Sequence, residues 1–266
     1  MKRNNIAKFH SEIRYTELDT IFSLLNKNIS ILDISVGRGA DLFKFTKTAK
    51  SQNKKINMIY GLDIDKNALI EAQSRWDENI EKNSRPEFYL DCCDMNNDNF
   101  VSMIKKKTKK KFNLVVCNFA FHYFFNNREN VMRILNRLKS VVLKNCIFWF
   151  CCPDGDKLLE LKNVKNNVYS LNIDRSNITD YGTLVQYSLE GTVYFTNVKD
   201  NKFLDNGVSF EYLVRKEIIT KLLEEMKIEI VSIKHFNELF EGSKIKLNFL
   251  EKEISFTNMS CIYKLY

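Results

Sequence analysis

Between residues 30 and 151 the chain repeats one alternation, and this restricts its fold more than any other feature. Short apolar runs at 30–34, 56–62, 87–90, 112–117 and 146–151 read as strands. Segments with helical spacing lie between them, at 41–48, 66–79 and 128–143. The last carries Val131, Ile134, Leu135, Leu138, Val141 and Val142 along one stripe. An opening helix is marked by Ile13, Leu18, Ile21, Phe22, Leu24 and Leu25. Strands apolar at successive positions need cover on both faces, and parallel neighbours need a crossover helix between them. The pattern therefore predicts an α/β fold, a mainly parallel sheet with helices on both faces. The longest apolar run, 146–152, is far shorter than the ~20 residues a bilayer-spanning helix needs.

After Pro153 the rhythm changes. Residues 168–195 read as short strands with turns at Gly182 and Gly191. A helix at 215–226 follows, then strands at 228–233 and 259–265. We expect one domain over 1–266, with a β-rich insertion at about 164–210 before the late strands. Glycine (8) and proline (2) are too few for a collagen-like or low-complexity chain. The seven cysteines, at 92, 93, 117, 146, 151, 152 and 261, contain no C-x-x-C pair. That argues against structural zinc or any other metal, and for free thiols in a reducing, cytoplasmic setting. The start, Met1-Lys2-Arg3-Asn4-Asn5, shows no apolar signal region. A net charge of +8 favours a polyanionic partner.

Four places carry candidate chemistry. Asp33-Ile34-Ser35-Val36-Gly37-Arg38-Gly39 follows the first strand and precedes a helix, the arrangement by which doubly wound sheets hold nucleotide-like ligands. It lacks the third glycine of G-x-G-x-x-G and carries an acid four residues before Gly37. A carboxylate there suits a cationic ligand such as S-adenosylmethionine (SAM) better than a pyrophosphate. Asp63 ends the next strand, where an acid accepts ribose hydroxyls, while Asp65 suits a helix N-cap. Asp94 follows the third strand and could meet an adenine amine or simply face solvent. Asn118 ends the fourth, followed by Phe119, Phe121, His122, Tyr123, Phe124 and Phe125. Aromatics beside an imidazole can grip a flat base, or form an ordinary aromatic core. The run Lys105 to Lys111 holds six lysines in seven positions and reads as a solvated loop or helix end, or as an RNA-attracting patch.

The combination resembles the mRNA cap guanine-N7 methyltransferases, especially those of capping enzymes from large cytoplasmic DNA viruses of the poxvirus and African swine fever virus kind. The family's L-D-x-G-C-G-x-G-x-D-L stands here as Leu32 to Leu42, with Ser35 and Val36 replacing a glycine and the cysteine. Q-F-x-x-H-Y is matched by Asn118 to Tyr123, and N-N-x-x-K by Asn4 to Lys8. Pro153 to Leu158, Phe210 to Val214 and Ser260 to Tyr263 match further segments. The resemblance implies a Rossmann-like seven-stranded SAM-dependent methyltransferase that methylates N7 of the guanine cap of capped RNA without a general base. It assigns the cofactor to Lys8, Asp33, Gly37, Asp41, Asp63, Asp94 and Asn118. It assigns the cap to Phe119, His122, Tyr123, Glu211 and Tyr263, with His122 toward O6. It also implies a monomer with no membrane association, working in the cytoplasm (viral factory or virion) and open to linkage with triphosphatase and guanylyltransferase domains. The rival readings are a SAM enzyme for another RNA position or a small molecule, an inactive RNA-binding or stimulatory module, and an NAD-dependent dehydrogenase. The missing third glycine and Asp33 disfavour the last.

Overall fold

The alternating segments assemble into a seven-stranded sheet in a computed structural model, which describes residues 4–80, 85–189, 204–205 and 208–265. Strands β1 (Asn28–Asp33), β2 (Lys55–Asp63), β3 (Glu87–Cys92), β4 (Phe112–Val116) and β5 (Val142–Pro153) pair in parallel. Helices α1 (Asn5–Leu24), α2 (Leu42–Ser51), α3 (Lys66–Asn79), α4 (Phe100–Lys107) and α5 (Arg128–Val141) precede or connect them. Beyond β5 come α6 (Gly155–Glu160) and strands β6 (Val164–Lys165), β7 (Tyr169–Ile173), β8 (Leu184–Leu189), β9 (Leu204–Asp205) and β10 (Val208–Tyr212). Then follow α7 (Lys216–Glu225), β11 (Glu229–His235), α8 (Phe249–Ser255) and β12 (Asn258–Leu265). The main sheet runs β11-β12-β5-β4-β1-β2-β3, with β12 antiparallel to both neighbours. Chain order reverses between β1 and β4, so their carboxyl ends flank the crevice where such sheets bind ligands.

Side-chain alternation builds two cores. Ile31, Leu114 and Trp149 point toward α1, α2 and α3, where Phe9, Ile21, Phe45 and Trp76 cover them. Their neighbours Leu32, Val115 and Phe148 point to the other face, under Ile104, Leu135 and Leu222 of α4, α5 and α7. Strands β6 to β10 form a second, antiparallel sheet in the order β6-β7-β8-β10-β9. Its inner face, including Tyr169, Leu171, Val185 and Tyr187, packs on Ile6, Leu158 and Ile254. The expected insertion is this sheet. Gly182 makes a turn at φ +86°, while Gly191 lies outside the described residues.

Two expectations about elements change. The helix expected over 128–143 stops at Val141, because Val142 is already extended and pairs with Phe112 as the first residue of β5. The lysine run conceals α4, whose last turn holds Lys105, Lys106 and Lys107. Lys109 to Lys111 then lead into the amino end of β4. Five strand residues at ~3.3 Å each separate them from the crevice edge. Lys107 pairs with Asp91 and Lys110 with Glu87. All seven cysteines are free thiols, and six are buried. No helix among the described residues is long and apolar enough to cross a membrane.

Candidate active site

The turn after β1 forms the floor of a cleft of about 280 Å³. Val36 donates to the Leu62 carbonyl at 3.1 Å and Gly39 to the Val36 carbonyl at 2.9 Å, which anchors the loop to the sheet edge. Gly37 and Gly39 have φ of +49° and +72°, where a side chain is strained. A Cβ on Gly39 would also come within 2.8 Å of Leu42 Cδ1 and 3.1 Å of the Ala72 backbone. Neither Ser35 nor Val36 lies in that region, so the loop tolerates both replacements of the family pattern. The cleft is lined by Asp33, Gly37, Asp41, Asp63 and Asn118, and α1 contributes Ala7, Ser11 and Arg14 from one helical face.

Two buried carboxyls in this cleft are shifted in opposite directions. Burial pushes the Asp33 carboxyl well above its usual range, and the nearby charges of Asp41 and Asp63 push it further. Asp41 is equally buried, yet Arg14 and Lys44 draw it well below that range. Arg14 Nε lies 3.0 Å and Lys44 Nζ 2.6 Å from Asp41 Oδ1, and Asn118 Nδ2 donates to its other oxygen at 3.3 Å. Asp63 is raised, chiefly by burial. Its oxygens accept from the Gly37 and Asp65 amides at 2.8 and 3.0 Å. Asp65 caps α3, accepting from Asn67 and Ala68 at 2.8 and 3.2 Å. Arg38 and Arg75 stand in the lining, both paired with Glu71.

Beyond Phe119 lies a second, smaller pocket of about 90 Å³. Phe119 lines both cavities. Its backbone is left-handed, φ +57°, and its amide donates to the Cys151 carbonyl at 2.7 Å. Its ring is stacked on His10 at 5.4 Å, with the Arg14 guanidinium 5.4 Å from its centre. A 3-10 turn, Phe121–Phe124, then carries His122 and Tyr123 into the pocket, and β10 brings Ser209 and Glu211 from the opposite side. His122 Nε2 is 3.4 Å from Glu211 Oε2, ion-pair distance but outside hydrogen-bond geometry. Burial lowers the His122 pKa despite the acid, leaving a neutral imidazole. The Tyr123 hydroxyl and Ser209 Oγ are 3.1 Å apart, and burial pushes the phenol upward.

The structure thus brings together Asp33, Gly37, Asp41, Asp63 and Asn118 in one cavity, and Phe119, His122, Tyr123 and Glu211 in the next. Three expected residues stand apart. Lys8 lies outside the cleft lining, 3.5 Å from Asn5 Oδ1; its turn neighbours Ala7 and Ser11 hold the wall. Asp94 is exposed in a separate depression with Tyr123 and Tyr212, where it accepts from Asn96. Tyr263 is a correction. It is fully buried on the core face of β12, stacked on Phe150 at 5.6 Å, and has no surface open to the pocket. Asn258, five residues earlier, lines the pocket instead. Sequence reasoning missed His10, Arg14, Arg38, Arg75, Tyr187 and Ser209. The first two had a signal: His10, Arg14 and Glu17 recur on the apolar face of α1, where polar side chains need a reason.

The cleft suits a ligand that is cationic at one end and a nucleoside at the other. Asn118 Oδ1 is buried in it without a hydrogen-bond partner. Asp33 adds an acid whose ionised form calls for a neighbouring cation, and Asp63 ends β2 where a ribose diol would be met. The fold is that of SAM-dependent methyltransferases. A solved structure of one from Listeria monocytogenes matches with a TM-score of 0.58 and 11% identity, covering 97% of this chain and 99% of that one. Another, from Clostridium acetobutylicum, gives 0.56 and 14%, covering 97% and 92%.

Within that class, the chain belongs to the mRNA (guanine-N(7))-methyltransferase domain family, whose model matches residues 2–258. The mRNA cap guanine-N(7) methyltransferase of Caenorhabditis elegans is 23% identical over 215 residues, covering 79% of this chain and 53% of the relative. That of Schizosaccharomyces pombe is 23% identical over 228 residues, covering 81% and 57%. The chain spans about half the length of these curated relatives.

Proposed function

We propose that this chain transfers a methyl group from SAM to N7 of the guanine cap of capped mRNA. The observation that carries the reading is the pair of adjoining cavities that share Phe119, one acid-lined and one aromatic with Glu211 in its lining. SAM, when bound, supplies an electrophilic methyl group on a sulfonium. Asp33, Gly37, Asp41, Asp63 and Asn118 would hold it. Guanine N7 has a free lone pair and loses no proton on attack, so the pocket needs no general base. Its task is to place and align, which can supply roughly 7–11 kcal/mol of barrier reduction.

Glu211 is suited to accept from guanine N1–H and the 2-amino group, His122 to donate to O6, and Tyr123 to pack on the base. An adenine cap lacks this donor pair and would leave the acid buried and unmatched. Arg38 and Arg75 are placed to neutralise phosphates at the cleft. The viral kinship rests on the motif segments at 4–8, 32–42, 118–123, 153–158 and 210–214. Linkage to triphosphatase and guanylyltransferase domains, a monomeric state and a cytoplasmic site of action form part of the same proposal.

The test is radiolabelled methyl transfer to unmethylated capped RNA, followed by nuclease digestion. Label recovered in 7-methylguanosine caps supports the reading. Label in internal nucleotides or free nucleosides, or cofactor binding without turnover, overturns it.

A further inference from the structure

Outside the cofactor cleft, between α1, α2 and α3, runs a groove of about 380 Å³ that the reading above leaves unused. It shares Ser11, Ala40 and Arg75 with the cleft and no lining residue with the base pocket, so the cavities lie in the order base pocket, cleft, groove. Its inner wall is apolar, formed by Leu42, Trp76 and Ile80. Phe43 stands in the same lining and is 52% exposed, so packing does not account for it. Phe43, Lys47 and Lys50 fall at i, i+4 and i+7 of α2, on one solvent-facing stripe. That helix carries three lysines and no acid. Lys44 is committed to Asp41, whereas Lys47 is exposed, its ammonium 5.4 Å from the centre of the Tyr15 ring. Arg38 and Arg75 share a single acid, Glu71, so that trio keeps a positive charge. An aromatic surface flanked by cations is the composition of a groove for single-stranded nucleic acid.

We infer that this groove seats the first transcribed nucleotide of the capped RNA, its base stacked on Phe43 and its 3′ phosphate at Lys47. The inference rests on the cap reading and deepens it by extending the substrate beyond the cap. With the guanine in the pocket of Phe119 and Glu211, a triphosphate that runs along Arg38 and Arg75 leaves the cleft where Arg75 enters the groove. The next ribose therefore arrives beside Phe43. Stacking needs only a π face, which every base has, so the seat accepts any first nucleotide. Lys47 lies one turn further along α2, toward the body of the RNA. A contact here adds nothing at N7. It tightens the hold on a cap that carries RNA over a cap alone, and so acts on KM with kcat unchanged.

The test compares GpppA with an analogue whose second ribose lacks its base. Wild type should show a KM for GpppA lower by roughly five- to hundredfold, the range of one base stacked on an aromatic ring, at equal kcat. Phe43→Ala should lose that preference while binding SAM normally by calorimetry, and Phe43→Trp should keep it. Emission from the Phe43→Trp protein, with the wild type as blank, should fall on adding GpppA and not on adding the abasic cap. Lys47→Ala should raise KM for GpppApA roughly two- to fivefold, the worth of one exposed ion pair, and leave GpppA, which ends at that ribose, unchanged. Equal KM for the two caps in the wild type, the result expected if the groove seats a protein instead, overturns this inference alone. So does a preference untouched in Phe43→Ala, or a Lys47→Ala effect that does not distinguish GpppA from GpppApA. A wild-type protein that neither binds nor methylates GpppA overturns the cap reading and this one with it.

Discussion

The two cavities on either side of Phe119 are built on opposite electrostatic plans. The cofactor cleft is lined by the carboxyls Asp33, Asp41 and Asp63, with Asp41 ion-paired to Arg14 and Lys44 out of water. The base pocket holds two imidazoles that burial keeps neutral, two tyrosines, and the single acid Glu211. The difference follows from the ligands each would take. A sulfonium and an ammonium need compensating charge wherever they leave water, whereas a flat neutral base needs shape and matched hydrogen bonds. Keeping cations out of the second pocket also leaves room for the positive charge that methylation creates.

Separate perturbation of the two cavities should give separate defects. The largest expected effect is at Glu211. Glu211→Gln keeps one neutral acceptor and turns the other oxygen into an amide NH2 that faces a donor; with charge-assisted hydrogen bonds worth roughly 1.5–3 kcal/mol each, cap kcat/KM should fall about 10²- to 10⁴-fold. Cofactor affinity by calorimetry should stay near wild type, and a parallel loss of both would break the division. Next, Asp41→Asn leaves Arg14 and Lys44 buried beside a neutral group, and denaturant melts should show a loss of about 3–5 kcal/mol. Because the folded-state pKa of Asp41 is depressed, its contribution is present above the ordinary carboxylate range. It fades as pH falls toward the depressed value.

A third expected effect, about tenfold, is weaker cofactor binding in Asp63→Ala, with cap affinity by direct titration unchanged. A smaller effect concerns protons. The raised folded-state pKa of Asp33 means that its ionisation costs stability as pH rises, so Asp33→Asn should match or exceed wild type in thermal stability without ligand. A cation beside Asp33 favours its carboxylate, so cofactor binding should expel up to one proton. Calorimetry in buffers of different ionisation enthalpy would detect it, and no buffer dependence would contradict the assignment. Least of all, replacing Lys109, Lys110 and Lys111 by alanine should leave cap methylation unchanged, because these residues sit at the far edge of the sheet. A marked loss would place the RNA path there.

The parallel sheet was legible because its strands are apolar at successive positions and its helices keep a clean stripe, as from Val131 to Val141. The acids at strand ends were legible for the same reason: they interrupt apolar runs at fixed places. Tyr263 misled because a tyrosine in a strand can point to either face, and the register of β12 on β5 sets which. That pairing is a long-range event with no local signature. Asp94 and Lys8 missed their cavity by a turn of loop or 100° of helix. His10 escaped notice because one imidazole on an apolar helix face looks like any satisfied core histidine until its partners are known.

β12 lies between β5 and β11 and holds eight residue pairs with β5. The interior of the sheet is therefore completed by a strand that is made only after the whole second sheet, α7 and β11. Until β12 has been synthesised, β5 keeps a bare edge and β11 lacks the strand it pairs with. Deleting residues 258–265 would take out an interior strand and split the sheet.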